Sequence, residues 1–310
     1  MKFAIFGTGG VGGYFGGKLA QAGQDVTFIA RGKHLASITE AGLKVDSIGG
    51  DFLVKPAKAT AMPQSVGEVD CVIVSTKAWQ LNESIEQLKH LVGERTMILP
   101  LLNGVEHVDL LVNAFGRERV LGGMCRISSF VAGPGHITHV AIKPVIVFGE
   151  LDNEKSERVV ALQNIFSAMD GIIVEVPNDI QVAMWEKFVF ICSTSGVGAV
   201  TRQPFDVFRA VPESRALLKS AITEAVNVGW AKGVMLASDL VDSLMKRIDG
   251  LPSMVASMQK DIMEGRPSEL DAQTGAVIRL GRVLNVLTPT HEFIYASLLP
   301  QEMKARSNKE

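Results

Sequence analysis

Short unbroken apolar runs alternate with helix-spaced apolar positions over the first 177 residues. Phe3-Ala4-Ile5-Phe6 is continuous, the pattern of a strand buried on both faces. Gly7-Thr8-Gly9-Gly10-Val11-Gly12 follows at once. Val11, Phe15, Leu19 and Ala22 then recur at three- and four-residue spacing, which predicts a helix over 10–22 stopped by Gly23. Val26–Ala30 reads as a second strand, and Cys71–Ser75 and Met97–Leu101 as central strands with a helix near 80–92 between them. Over 120–149 the texture changes to short strands, Lys143–Phe148 among them, punctuated by Gly133, Pro134 and Gly135. A helix near 155–169 and a strand at Ile172–Val176 close this half, with the boundary at Pro177-Asn178-Asp179.

Beyond that boundary strands give way to helices. One begins near Ile180 and carries a long apolar stretch to Val200. Ser238-Asp239 caps a run with Leu240, Val241, Leu244, Met245 and Ile248 on one face, stopped by Gly250. Met254, Val255, Met258 and Ile262 repeat the pattern up to Gly265 and Pro267. Ser268 offers an N-cap for a helix through Val277 and Leu280, and Thr288-Pro289-Thr290 precedes the last helix. The polar tail from Lys304 to Glu310 is expected to fray. The expected fold class is α/β: an N-terminal Rossmann-type dinucleotide-binding domain, residues 1–177, followed by an all-α C-terminal domain, residues 178–310.

Composition narrows the function. A chain of 310 residues suits two domains, or one large one, and at 47% hydrophobic it is too apolar to be disordered. A net charge of -2 lacks the basic footprint of nucleic-acid binding, so no nucleic acid is expected as partner. No apolar run reaches membrane-span length, and glycines interrupt the N-terminal run from Gly7 onward. No membrane partner and a cytoplasmic location are therefore expected. Cys71, Cys125 and Cys192 are scattered and odd in number, which fits buried thiols rather than a disulfide framework or zinc site. His136 and His139 have ligand-like spacing but no third ligand nearby, so no metal is expected.

The glycine turn carries the first chemistry. Gly7 permits a tight turn, Gly9 lets backbone approach a pyrophosphate, and Gly12 allows close helix–strand packing. Thr8, Gly10 and Val11 complete the segment, whose helix N-terminus offers free N–H groups to phosphate. After the second strand an NAD site usually carries Asp or Glu. Here the chain runs Ala30-Arg31-Gly32-Lys33, and a cation there suits a 2′-phosphate, unless Arg31 is simply a solvated loop arginine. NADPH/NADP+ is therefore favoured as cofactor. Ligands bind beyond the carboxyl ends of the strands in such a sheet, which singles out Lys77 for cofactor phosphate and Asn103 for substrate or nicotinamide ribose. Asn103-Gly104 is equally ordinary turn chemistry. Lys187 is the only cation in its apolar stretch, either a proton donor with a burial-lowered pKa or a lysine whose stem snorkels to water.

Taken in order, the opening turn, Ala30-Arg31, Thr76-Lys77-Ala78-Trp79-Gln80, Asn103-Gly104, Trp185-x-Lys187, Ser257-Met258-x-x-Asp261 and Arg266-x-x-Glu269-Leu270-Asp271 resemble the ketopantoate reductases (2-dehydropantoate 2-reductases). The resemblance implies NADPH-dependent reduction of a small 2-oxo acid, ketopantoate first, in pantothenate biosynthesis. It implies Lys187 as the general acid that protonates the developing alkoxide, and Glu269 as the carboxylate that orients substrate and lysine. Asn103 and Ser257 become substrate contacts. Family members carry asparagines four and eight positions after the lysine and three before the serine; here these are Ile191, Ser195 and Met254. Ser195 is retained as a candidate substrate contact, and the apolar replacements suggest a more apolar 2-oxo acid. A non-catalytic NADP(H)-binding sensor is the competing reading. A homodimer is allowed, not specified, by the sequence.

Overall fold

The computed structural model of the chain describes residues 1–307. They form two compact units: Met1–Leu102 with His107–Ile180, and Asn103–Glu106 with the chain from Gln181 onward. In the first unit the elements run β1 (Lys2–Phe6), α1 (Gly10–Gln21), β2 (Asp25–Ile29), α2 (Gly32–Ala41), β3 (Leu43–Ser47), β4 (Phe52–Val54) and β5 (Lys58–Thr60). There follow β6 (Cys71–Val74), α3 (Leu81–Leu88), β7 (Met97–Pro100), α4 (Glu106–Phe115), β8 (Leu121–Gly133), β9 (His136–Glu150), α5 (Glu157–Ser167) and β10 (Ile173–Glu175).

Five strands make a parallel sheet in the order β5-β2-β1-β6-β7. The chain moves outward from β1 through β2 to β5, then crosses back to place β6 on the other side of β1. The strand order therefore reverses between β1 and β6, the switch point beyond whose carboxyl ends sheets of this kind bind ligands. The residues found there are the glycine turn after β1 and Ser75–Lys77 after β6. Phe3, Ile5, Phe15, Leu19, Phe28 and Ile73 form the core beneath it.

Residues 120–149 were expected as short strands and form instead one long hairpin, β8 against β9, turned by Pro134 and a positive-φ Gly135. The pairing slips between Arg126 and Ser128, and Pro144 falls in the unpaired stretch on the partner strand. A proline that donates no hydrogen bond is tolerated in such a bulge, and Pro144 only makes the strand look interrupted. β9 also pairs with β3 and β10 in a second sheet that β4 extends. The strands β3, β4 and β5 escaped the periodicity, being short and mixed in polarity.

The second unit holds α6 (Ile180–Thr201) beyond its first residue, α7 (Phe205–Ala210), α8 (Pro212–Ala231), α9 (Leu240–Asp249), α10 (Ser257–Met263), α11 (Ala276–Leu284) and α12 (Pro289–Ser307). Trp185, Phe188, Phe205, Phe208, Leu218, Ile222 and Ile248 fill its core. A helix through Met254 and Val255 is not formed. Both are exposed, and the Met254 carbonyl accepts from Phe205 N at 3.0 Å in an extended connection before α10. Asp239 occupies the N-cap of α9 without a side-chain cap bond. Ser268 does cap, its Oγ accepting from Leu270 N at 3.2 Å, but a π-helical turn at Asp271–Gly275 intervenes before α11.

The expected fraying of the tail is corrected as far as Ser307; residues 308–310 lie outside the described residues. Glu302 on the last turns of α12 is 4% exposed. Its carboxylate accepts from Ser268 N at 3.0 Å, Ser268 Oγ at 2.6 Å and Arg306 Nε at 2.7 Å. The polar tail thus stays helical to Ser307 with Arg306 bonded to the buried Glu302 just before it and to Ser268 O. Among the described residues no helix is long and apolar enough to cross a membrane.

Candidate active site

The glycines of the turn differ in what their missing side chains permit. Gly7 has φ +100°, and a Cβ there would lie 2.8 Å from Thr76 N, so the turn excludes other residues. A Cβ on Gly12 would strike Gly7 O and Ser75 Oγ and lie 2.9 Å from Ile5 Cγ2, because α1 packs directly on β1. One on Gly10 would strike the Ser129 carbonyl. Gly9 is the exception: a Cβ there meets no protein atom within 4 Å. Protein packing demands three of the glycines and leaves the space over Gly9 open. Helix α1 has no side-chain cap and no acidic residue in its first turn. Its first N–H groups, those of Gly10, Val11 and Gly12, have no partner within the helix. Open space over bare N–H groups fits a dinucleotide pyrophosphate.

Side chains from flanking segments hold the turn's carbonyls. Ser75 Oγ donates to Gly7 O at 2.8 Å, and Thr8 is buried with its Oγ donating to Ile29 O at 3.0 Å. His34, in the first turn of α2, bonds Thr8 O through Nε2 at 2.8 Å and accepts from Gly135 N at Nδ1, 3.0 Å away. The Gly135 donor requires a bare Nδ1, so the proton sits on Nε2 and the ring is neutral. Burial holds its pKa below the usual histidine value. Arg31 is exposed beside the N-terminus of α2 and donates to Gln87 Oε1 at 3.0 Å. Lys77 is exposed, its Nζ 5.6 Å from the Trp79 ring centre.

In the second unit three of the candidate residues form a chain. Lys187 Nζ on α6 donates to Asn103 Oδ1 at 2.9 Å, and Asn103 Nδ2 donates to Glu269 Oε2 at 2.8 Å. Lys187 and Asn103 are part-buried, and Glu269 is 5% exposed. A flipped amide would turn its NH2 toward the ammonium and its oxygen toward the carboxylate, so the two charges fix its orientation. Glu269 reaches the lysine through Asn103. Such an arrangement can hold a cationic proton donor in one place and compensate its charge.

Family models match both halves of the chain. The model described as "Ketopantoate reductase PanE/ApbA" matches residues 3–153, and "Ketopantoate reductase PanE/ApbA C terminal" matches residues 179–302. The chain belongs to the ketopantoate reductase PanE/ApbA family. It is 32% identical to the uncharacterized oxidoreductase YkpB of Bacillus subtilis (strain 168), over 96% of this chain and 98% of that one. It is also 32% identical to the 2-dehydropantoate 2-reductase of Mesorhizobium japonicum, over 96% of each chain. The crystal structure of 2-dehydropantoate 2-reductase from Geobacter metallireducens GS-15 superposes with a TM-score of 0.89 at 31% identity, covering 97% of this chain and 99% of that one. Like other ketopantoate reductase family members, the chain is an oxidoreductase acting on CH–OH groups, from a family of dinucleotide-binding reductases.

Other candidates in this family member have plainer surroundings. Ser195 is buried within α6, and Ser257 is exposed at the first turn of α10. Ile191 is half-buried one helical turn beyond Lys187 and shares its face of α6. His136 Nε2 lies 2.7 Å from Asp46, while His139 Nδ1 and Nε2 each lie 2.8 Å from Ser47 Oγ and Ile142 O. All three cysteines are buried, and burial pushes the Cys192 thiol up to about 12. His34, whose ring bonds the carbonyl of Thr8 in the glycine turn, is a residue that sequence reasoning did not single out. Its partners are backbone groups of Thr8 and Gly135, which leave no residue-type signal.

Proposed function

We propose that the chain reduces a small 2-oxo acid to its 2-hydroxy acid with NADPH, 2-dehydropantoate being the leading substrate. The observation that carries this reading is the Lys187–Asn103–Glu269 chain, a held cation backed by a buried carboxylate. Identity of 32% to a 2-dehydropantoate 2-reductase over nearly the whole chain supports the substrate class. When bound, the nicotinamide supplies a hydride equivalent for the substrate carbonyl carbon. Negative charge then develops on the carbonyl oxygen, and Lys187 gives it a proton. Asn103, held in turn by Glu269, keeps the lysine aimed. Asn103, Ser195 and Ser257 supply polar contacts to the substrate. The segment Gly7, Thr8, Gly9, Gly10, Val11 and Gly12 holds the pyrophosphate, while Arg31 and Lys77 take the remaining phosphate charge.

A more apolar 2-oxo acid is a second reading, favoured by Ile191 on the lysine's face of α6 and by the apolar Met254. Both readings are tested by following NADPH oxidation with 2-dehydropantoate and a panel of branched and aromatic 2-oxo acids. Turnover is expected with at least one, abolished in Lys187→Ala with NADPH affinity intact. Tight NADPH binding without turnover of any of them would favour a sensor instead.

A further inference from the structure

Asn103 and Glu269 lie 166 residues apart in sequence, yet their hydrogen bond is 2.8 Å. Something must hold the two segments in register, and a single guanidinium spans them. Arg279 on α11 donates from Nε to Glu106 Oε1 at 3.2 Å and from Nη2 to Glu106 Oε2 at 2.6 Å. It also donates from Nη1 to Asp271 Oδ1 at 2.7 Å and from Nη2 to the Asp271 carbonyl at 3.0 Å. Glu106 is three residues after Asn103, and Asp271 two after Glu269.

Surrounding residues are shaped to allow the bridge. Gly104 has φ +99°, and a Cβ there would lie 2.8 Å from Ala272 O, so the asparagine loop rests directly on the π-helical turn. A Cβ on Gly275 would lie 2.8 Å from Asp271 Oδ1 and 3.0 Å from Arg279 Nη1. Tyr295 OH adds a donor to Asp271 Oδ1 at 3.1 Å. The bond to Glu106, with the Asp271 bonds in support, raises the arginine's pKa despite its partial burial, so the guanidinium keeps its charge.

We propose that Arg279 is a positioning residue: by clamping Glu106 and Asp271 together it sets the Asn103–Glu269 bond and so the aim of Lys187. Its kinetic consequence rests on the reading of the lysine as proton donor, whereas its structural part stands alone. The fork geometry matters because lysine cannot bond two carboxylates in this pattern.

The test combines NMR with a double-mutant cycle on the full chain. The side-chain amide signal of Asn103, assigned by its loss in Asn103→Ala, is expected to move toward a free amide's position in Arg279→Ala, Arg279→Lys and Glu106→Gln. In the same variants kcat is expected to fall roughly 10- to 100-fold with KM for NADPH unchanged, as small misplacements of catalytic groups do. Adding Arg279→Ala to Asn103→Ala is expected to lower kcat no further. An Asn103 signal unmoved in these variants, or effects on kcat that multiply, would overturn the clamp. Full turnover in Lys187→Ala would instead overturn the proton-donor reading, leaving the NMR signal to decide the clamp. Should Arg279→Ala fail to fold, Glu106→Gln, which keeps the side chain's volume, carries both measurements.

Discussion

An ammonium, an amide and a carboxylate in series leave each group one favourable orientation, and this makes the Lys187–Asn103–Glu269 chain informative. His34 is equally constrained, since it must be neutral to accept from Gly135. Its folded pKa lies below the reference 6.5, so its contribution is complete above that value and is lost as the pH falls through the lowered pKa. Denaturation midpoints and NADPH affinity are expected to decline together on acidification below about pH 6.5, as a proton on Nδ1 displaces the Gly135 N–H and unseats the ring that braces Thr8 O. His34→Gln should flatten that part of the affinity profile; an unchanged profile would remove His34 from the account. Lys187, Asn103 and Glu269 could each be picked out of the sequence as residues. Their connection could not, because which atoms meet depends on backbone placed by distant segments.

Glycine positions make a sharp comparison within one turn. Gly12→Ala drives a Cβ into Gly7 O and Ser75 Oγ and is expected to cost about 1–3 kcal/mol of stability. Gly9→Ala meets no protein atom, so its midpoint should shift little while NADPH affinity falls. Thermal melts and cofactor titration of the two variants check this; loss of stability in Gly9→Ala with affinity intact would contradict it. At the other end of the chain, Glu302→Ala strips Ser268 N and Oγ of their buried acceptor. The expected cost is about 1–3 kcal/mol by chemical denaturation. The strand–turn–helix–strand opening was readable because its pattern is local and strongly periodic. The long β8–β9 hairpin was not, since a bulge around Pro144 breaks the alternation, nor was the tail's order, where Glu302 and Arg306 bond the distant Ser268. Met254 and Val255 show the converse failure: helical spacing without burial formed no helix.

At the scale of the molecule, the strand-order reversal beside the glycine turn belongs to the α/β unit and the held lysine to the helical unit. The change from strand to helix patterning in the sequence pointed to an α/β half and a helical half; the substrate reading rests on a few side chains such as Ile191. Cofactor choice belongs to the same level. Arg31→Ala is expected to erode a preference for NADPH over NADH by about tenfold or more, the size of one lost charge-assisted phosphate contact. Steady-state kinetics with both cofactors would show it; an unaltered ratio would assign the preference elsewhere. The central claim is most directly tested by single-turnover oxidation of bound NADPH on mixing with 2-dehydropantoate and the 2-oxo acid panel, comparing wild type with Lys187→Ala. A burst in the wild type that is slowed at least about 100-fold in the variant is predicted. Equal bursts in both, or none in the wild type with any acid despite bound NADPH, would contradict it.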